Sequence, residues 1–148
     1  MTAAGPETVV PRAVRTTLRV RAVAAGAAAL TVAAGLGVRA FADGAVAKYA
    51  GDALYTVLIC ALATVIAPRA RPAVTAGAAL AFSWAVELLQ LTGVPAELSR
   101  HSVAARLVLG SSFNAPDLFW YAVGAGCAWA VAASATCSGS APRTSASR

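Results

Sequence analysis

The sequence predicts an all-α, polytopic membrane protein with four transmembrane helices and both termini on the cytoplasmic side. Three observations carry that expectation. Apolar residues make up 59% of the 148 residues and charged residues only 12%, against about 25% charged in an average soluble domain. A soluble chain this poor in charge has no means of covering its surface, whereas lipid solvates the outside of a membrane protein. Four long apolar runs occupy residues 22–38, 53–67, 73–91 and 118–135. The basic residues are divided unequally between the two ends of those runs.

The first run is opened by Arg19 and Arg21 and closed by Arg39, the second opened by Asp52 and closed by Pro68. The third is interrupted only late, by Glu87 and Gln90, and the fourth is opened by Asp117. At 1.5 Å rise per residue, runs of 15 to 19 residues span roughly 22–29 Å, the short end for a hydrocarbon core of about 30 Å. Tyr49 and Tyr55 supply interfacial anchors for the shortest run, the second. With interface residues included, the helices are expected at about 20–39, 51–67, 73–92 and 117–135, in one membrane domain at 19–135. Residues 1–18 read as a disordered basic tail and 136–148 as a disordered C-terminal one. A rival reading makes 12–21 the basic region of a signal peptide, with cleavage after Ala40-Phe41-Ala42. The length of the apolar run and Arg39 beside the cleavage point argue against it.

Much of the apolar sequence is Ala, which inserts weakly, so the helices are expected to need one another. Ala22 with Gly26, Gly35, Gly37, Gly77, Gly124 and Gly126 allow close backbone approach. The orientation follows from the cations. With both termini inside, the inner face carries eight Arg and the outer face four cations, Arg39, Lys48, Arg100 and Arg106. The link Pro68-Arg69-Ala70-Arg71-Pro72 ends one helix and starts the next.

This pattern excludes several function classes. Eleven of the twelve basic residues are Arg, but they stand in ones and twos between apolar runs. They form no patch with interleaved aromatic residues of the kind that binds nucleic acid. Cys60 and Cys127 lie in apolar runs, Cys137 lies in the C-terminal tail, and the single His, His101, is far from all three, so no metal site and no cofactor are expected. The sequence has no GxSxG, HExxH or Walker A pattern. Paired carboxylates such as Asp52 and Glu87 are suited to acid–base work on a lipid headgroup, but no spacing demands it, and an enzyme is not the favoured reading.

The polar residues of the membrane domain gather at the outer face. Helical spacing puts Thr31, Gly35 and Arg39 on one stripe, Asp52, Thr56 and Cys60 on a second, Ser83, Glu87 and Gln90 on a third, and Asp117, Tyr121 and Gly124 on a fourth. Glu87 lies about a turn inside its run, where a charge is costly and normally faces the bundle interior with a partner. Two roles are open to it: an ion pair with Arg39 or Arg106 that locks helices, or a ligand-binding or proton-handling carboxylate. Between the third and fourth runs, 103–109 is apolar around Arg106. It reads as a short helix, either interfacial or re-entrant, lying on the membrane or folded over the polar mouth. Asn114 and Asp117 are placed to cap the last helix.

Arg39, Gly51-Asp52-Ala53-Leu54-Tyr55, Glu87-Leu88-Leu89-Gln90, Arg106, Leu109-Gly110, Phe113, Asp117-Leu118, Tyr121 and Gly124 resemble, in this order, the family of small bacterial membrane proteins catalogued as domain of unknown function 2809 (DUF2809). The resemblance covers about residues 19–131. It implies a multi-pass protein of the bacterial cytoplasmic membrane and assigns no catalytic residue. The ExxQ helix followed by an Arg-bearing loop, an Asp and a Gly is similar to VanZ-like proteins, which implies a role in the envelope or in glycopeptide resistance. The expected site is an outward-facing polar pocket of Arg39, Asp52, Glu87, Gln90, Arg106, Asp117 and Tyr121. Its expected partner, beyond the bilayer, is a lipid headgroup or another small polar envelope component. The alternatives are a structural or accessory subunit whose polar cluster only locks helices, and a membrane-embedded enzyme.

Overall fold

The computed structural model describes residues 11–109 and 112–138, without the side chains at 105–107 and 137–138. The chain is helical throughout these residues: α1 Arg12–Phe41, α2 Gly44–Ile66, α3 Pro72–Leu89, α4 Val94–His101, α5 Val103–Leu109 and α6 Ala115–Ser138. Four helices are long and apolar enough to cross a membrane: α1, α2, α3 extended by a 3₁₀ turn to Thr92, and α6. The protein is a multi-pass membrane protein, as its composition requires.

The helix ends differ from the sequence expectation in ways that matter for the site. α1 starts at Arg12, so residues 12–18 extend the first helix and are not a tail. The hydroxyls of Thr16 and Thr17 donate back to the carbonyls of Arg12 and Ala13, and Pro11 precedes the first turn. Residues 1–10 and 139–148, where both tails were mainly expected, lie outside the described residues. α2 starts at Gly44, about two turns before the apolar run, and therefore carries Lys48 and Asp52 on helix. Only Ala42 and Asp43 separate it from α1, and Gly44 has φ 61°, a left-handed conformation that a Cβ disfavours. The Pro-rich link forms the expected tight turn, with Pro72 in the first turn of α3. One short helix was expected before α6; two are present. α4 has the i,i+3 and i,i+4 pairs of Glu97 with Arg100 and His101 along it, and it packs on α5.

In the bundle α2 is central, packing against α1, α3 and α6, while α3 and α6 also pack on each other. α1 rests chiefly on α2. The interior is small: Ala24 and Ala28 of α1, Cys60 and Ala61 of α2, Ala76 and Ala79 of α3 and Ala125 of α6 are buried. Large apolar side chains such as Leu30, Leu36, Ile66, Phe82, Phe119 and Val131 point outward, where lipid solvates them. Lipid tails are as apolar as leucine, so association within a membrane depends on close packing and interhelical hydrogen bonds. Gly124 shows the first of these. A Cβ there would lie 2.2 Å from the carbonyl oxygen of Ala53, so α6 approaches α2 at backbone distance because this residue has no side chain.

Candidate functional site

The polar side chains meet in three layers along the seam of α2, α3 and α6. Deepest is a hydrogen bond of 3.1 Å shared by Thr56 on α2 and Ser83 on α3, both fully buried. One turn further out, Glu87 of α3 is 1% exposed. Its Oε2 accepts from the Tyr121 hydroxyl at 3.1 Å and its Oε1 from the backbone N–H of Asn114 at 2.6 Å. The outermost layer is built on Asp117, also buried, which accepts from the Asn114 side-chain amide and from the Lys48 ammonium. Lys48 also reaches Asp52, four residues along α2, at 3.4 Å.

Local sequence explains the placement. Asp52 and Thr56 are four residues apart on α2, as are Ser83 and Glu87 on α3 and Asp117 and Tyr121 on α6, so each helix presents its pair on one face. Asn114 just precedes α6, and its backbone carbonyl accepts from the N–H of Asp117. Its backbone N–H serves Glu87 and its side chain serves Asp117, so one residue joins two layers. The last carbonyls of α5 are tied in as well: Tyr55 donates to Val108 at 3.1 Å and Gln90 to Leu109 at 2.6 Å. Trp84 of α3 donates to the Leu118 carbonyl of α6 at 3.0 Å. Tyr49 stacks on Trp120 with centroids 5.4 Å apart.

This arrangement corrects the expected outward-facing pocket. Its polar groups are largely buried and bonded to one another across helices; they do not converge on a free space that opens outward. A cleft of about 320 Å³ does remain beside the network, between Arg39 of α1, Asp52 and Tyr55 of α2, Gln90 of α3 and the end of α5. Tyr55 and Gln90 within it already hold the α5 carbonyls. The physical reason is the cost of an unpaired polar group in an apolar surround: buried groups bond to whatever donor or acceptor the neighbouring helix offers.

Of the seven residues expected at the site, five are in the network or directly against it: Asp52, Glu87, Gln90, Asp117 and Tyr121. Arg39 lies exposed at the end of α1 and forms no ion pair among the described residues. The side chain of Arg106 lies outside the described residues. Among the described residues Glu87 is held by a phenol and a backbone amide, and not by Arg39. Sequence reasoning left Lys48, Thr56, Ser83 and Asn114 out of the site. Thr56 and Ser83 were on the right stripes, and Lys48 is the only lysine in the chain and sits four residues before Asp52. Nothing in the sequence signals the α5 carbonyls. Among the described residues, no three His, Cys, Asp or Glu side chains gather as metal ligands, and Cys60 and Cys127 are free thiols.

Residues 41–125 match the family described as "Protein of unknown function (DUF2809)". That segment contains every network residue from Lys48 to Tyr121 and leaves most of α1 outside. No curated protein and no solved structure matches the chain.

Proposed function

We propose that this chain, which belongs to the DUF2809 family, is a structural or accessory component of the bacterial cytoplasmic membrane whose polar cluster serves to lock its helices. The observation that carries this reading is Glu87: a carboxylate 1% exposed, with both oxygens already accepting bonds from other segments of the chain. A buried phenol, a half-buried backbone amide and a buried carboxylate satisfy one another, and their bonds hold α3 to both the start and the second turn of α6. On this reading the chain does no chemistry itself. Its termini lie in the cytoplasm and α4 and α5 on the outer face, as the eight-to-four cation bias favours.

A double-mutant cycle tests the lock. Glu87→Gln and Tyr121→Phe are each expected to lower thermal stability in detergent, and the double variant to lose less than the sum. Interhelical bonds in membranes couple by about 0.6 kcal/mol on average and up to about 1.7. The reading fails if Glu87→Gln leaves stability unchanged while stripping a stoichiometric polar molecule from the purified protein. For the orientation, a periplasm-active reporter fused after Glu97 is expected to be active and one fused after Arg148 silent. The reverse pattern would put the network at the cytoplasmic face.

A further inference from the structure

At the opposite end of the bundle the helices part. A groove of about 570 Å³ opens between α1 and α6, with α2 at its back and the Pro-rich link beneath it. Its lining is almost wholly apolar and small, typified by Val23, Ala27, Val57, Ala128, Trp129 and Ala132. Its polar members are three threonines, Thr64, Thr75 and Thr136, and its one charged member is Arg19, which stands in the lining itself. Arg69 and Arg71 flank Ala70, another lining residue, and Arg15 and Arg12 lie about one and two turns before Arg19 on α1. Every carboxylate side chain among the described residues, from Asp43 to Asp117, belongs to the other end of the bundle or the loops beyond it. The rim is therefore cationic without neutralisation by any described side chain.

We infer that this groove holds an acyl chain of an anionic phospholipid from the cytoplasmic leaflet, with the lipid phosphate at Arg19 and the Arg69–Arg71 link. The dimensions place the groove in one leaflet. The lining extends from Arg19 to Ala27 on α1 and from Cys127 to Thr136 on α6, a length of roughly 12–14 Å at 1.5 Å per residue. That is less than half of a hydrocarbon core of about 30 Å, so the groove belongs to one leaflet. The groove lies between two helices that face lipid and its lining is almost wholly apolar, so the polymethylene chains of the surrounding bilayer reach it directly. The charge selects the headgroup. The positive-inside rule accounts for arginines near this face, but not for one in the mouth of an apolar groove, where a guanidinium is placed to bind phosphate with paired N–H donors.

Trp129 in the groove wall makes the inference testable on the intact chain. The protein is reconstituted in phosphatidylcholine vesicles containing a fixed fraction of either dibrominated phosphatidylglycerol or dibrominated phosphatidylcholine. The share of emission from Trp129 is obtained by difference from Trp129→Phe. Quenching of that share is expected to be at least threefold stronger with the brominated anionic lipid, and the preference is expected to vanish in Arg19→Gln/Arg69→Gln/Arg71→Gln. Ala132→Leu, which fills the groove, is expected to reduce quenching by both lipids. Should the triple variant fail to insert, Arg19→Gln alone is expected to halve the preference, and raising salt to about 1 M, where the screening length falls to about 3 Å, to weaken it in the wild type. Equal quenching by the two lipids overturns the proposal, as does a preference that survives both the Arg substitutions and salt. A change of oligomeric state in Ala132→Leu without any lipid preference also overturns it and assigns the groove to a second copy. None of these outcomes depends on the Glu87 network, so this inference and the proposed lock fail separately.

Discussion

At the end of the bundle that carries Lys48 and Asp117, α2, α3 and α6 are stitched by side-chain bonds from helix to helix, from Thr56 with Ser83 out to Lys48 with Asp117. At the opposite end the hydroxyls of Thr64 and Thr75 turn back to carbonyls of their own helices, and the helices stand apart around an apolar groove. The same membrane span is thus closed by polar chemistry at one end and left for lipid at the other. The difference teaches why the polar residues are where they are. In a bilayer, apolar faces gain nothing by leaving lipid for each other, so an end without interhelical bonds opens, and an end with them closes.

The contrast is broken most severely at Gly124. A side chain there meets the Ala53 backbone, which has no flexible end to move aside. Gly124→Val is expected to separate α2 from α6 and cost at least the upper part of the about 1–3 kcal/mol typical of overpacking. It is read as a large fall in thermal stability or loss of folded protein. Gly126→Val, two residues on, meets nothing within 4 Å and is expected to be nearly silent. Equal effects at the two positions would remove the close α2–α6 seam.

A smaller effect, sharpening the same comparison, is expected at Lys48. Its ammonium bridges two carboxylates, of which Asp117 has a side chain 6% exposed and Asp52 one 19% exposed. Lys48→Met leaves Asp117 with only the Asn114 amide and is expected to cost about 1–3 kcal/mol, the range for stranding a buried polar group. Asp52→Asn leaves Lys48 paired with Asp117 and is expected to cost under about 1 kcal/mol, as for a half-exposed pair. Thermal unfolding in detergent ranks the two, and a larger loss for Asp52→Asn would show that the outer layer is organised around the wrong carboxylate.

How much of this was legible before the structure follows the physics of each signal. Hydropathy reports apolar length, so the four spans were readable. It is blind to helix continuing through polar residues, which is why Gly44 to Ala50 and Arg12 to Leu18 were assigned to loop and tail. Period fixes the face a residue occupies, so Asp52 with Thr56 and Ser83 with Glu87 were correctly striped. It does not fix which stripe meets which, and charge alone then suggested Arg39 or Arg106 as the partner of Glu87. The actual partners are a hydroxyl and a backbone N–H, the second of which every non-proline residue carries and no composition reveals. The error from network to pocket has the same root, since sequence shows that polar groups converge but not that they satisfy one another.

The smallest expected effect is the most discriminating test of the stitched-end idea, because it compares one chemistry at two depths. Thr56 and Thr64 lie on the same helix two turns apart. The Thr56 hydroxyl crosses to Ser83; the Thr64 hydroxyl bonds to Cys60 of its own helix at 2.9 Å. Thr→Val keeps the branched shape and removes only the hydroxyl. At position 56 the change strands the Ser83 hydroxyl, fully buried in α3, and is expected to cost about 0.6–1.7 kcal/mol, the span for interhelical bonds in membranes. At position 64 it frees a carbonyl that already accepts its helical N–H, so the expected change lies within about ±0.5 kcal/mol, as for substitutions that break no buried contact. Adding Ser83→Ala to Thr56→Val is expected to recover part of the first loss, because no hydroxyl then remains unpaired. If Thr56→Val and Thr64→Val cost the same, or Ser83→Ala restores nothing, the deep layer contributes no interhelical stability, and the closed end must owe its closure to Gly124 and the outer layers alone.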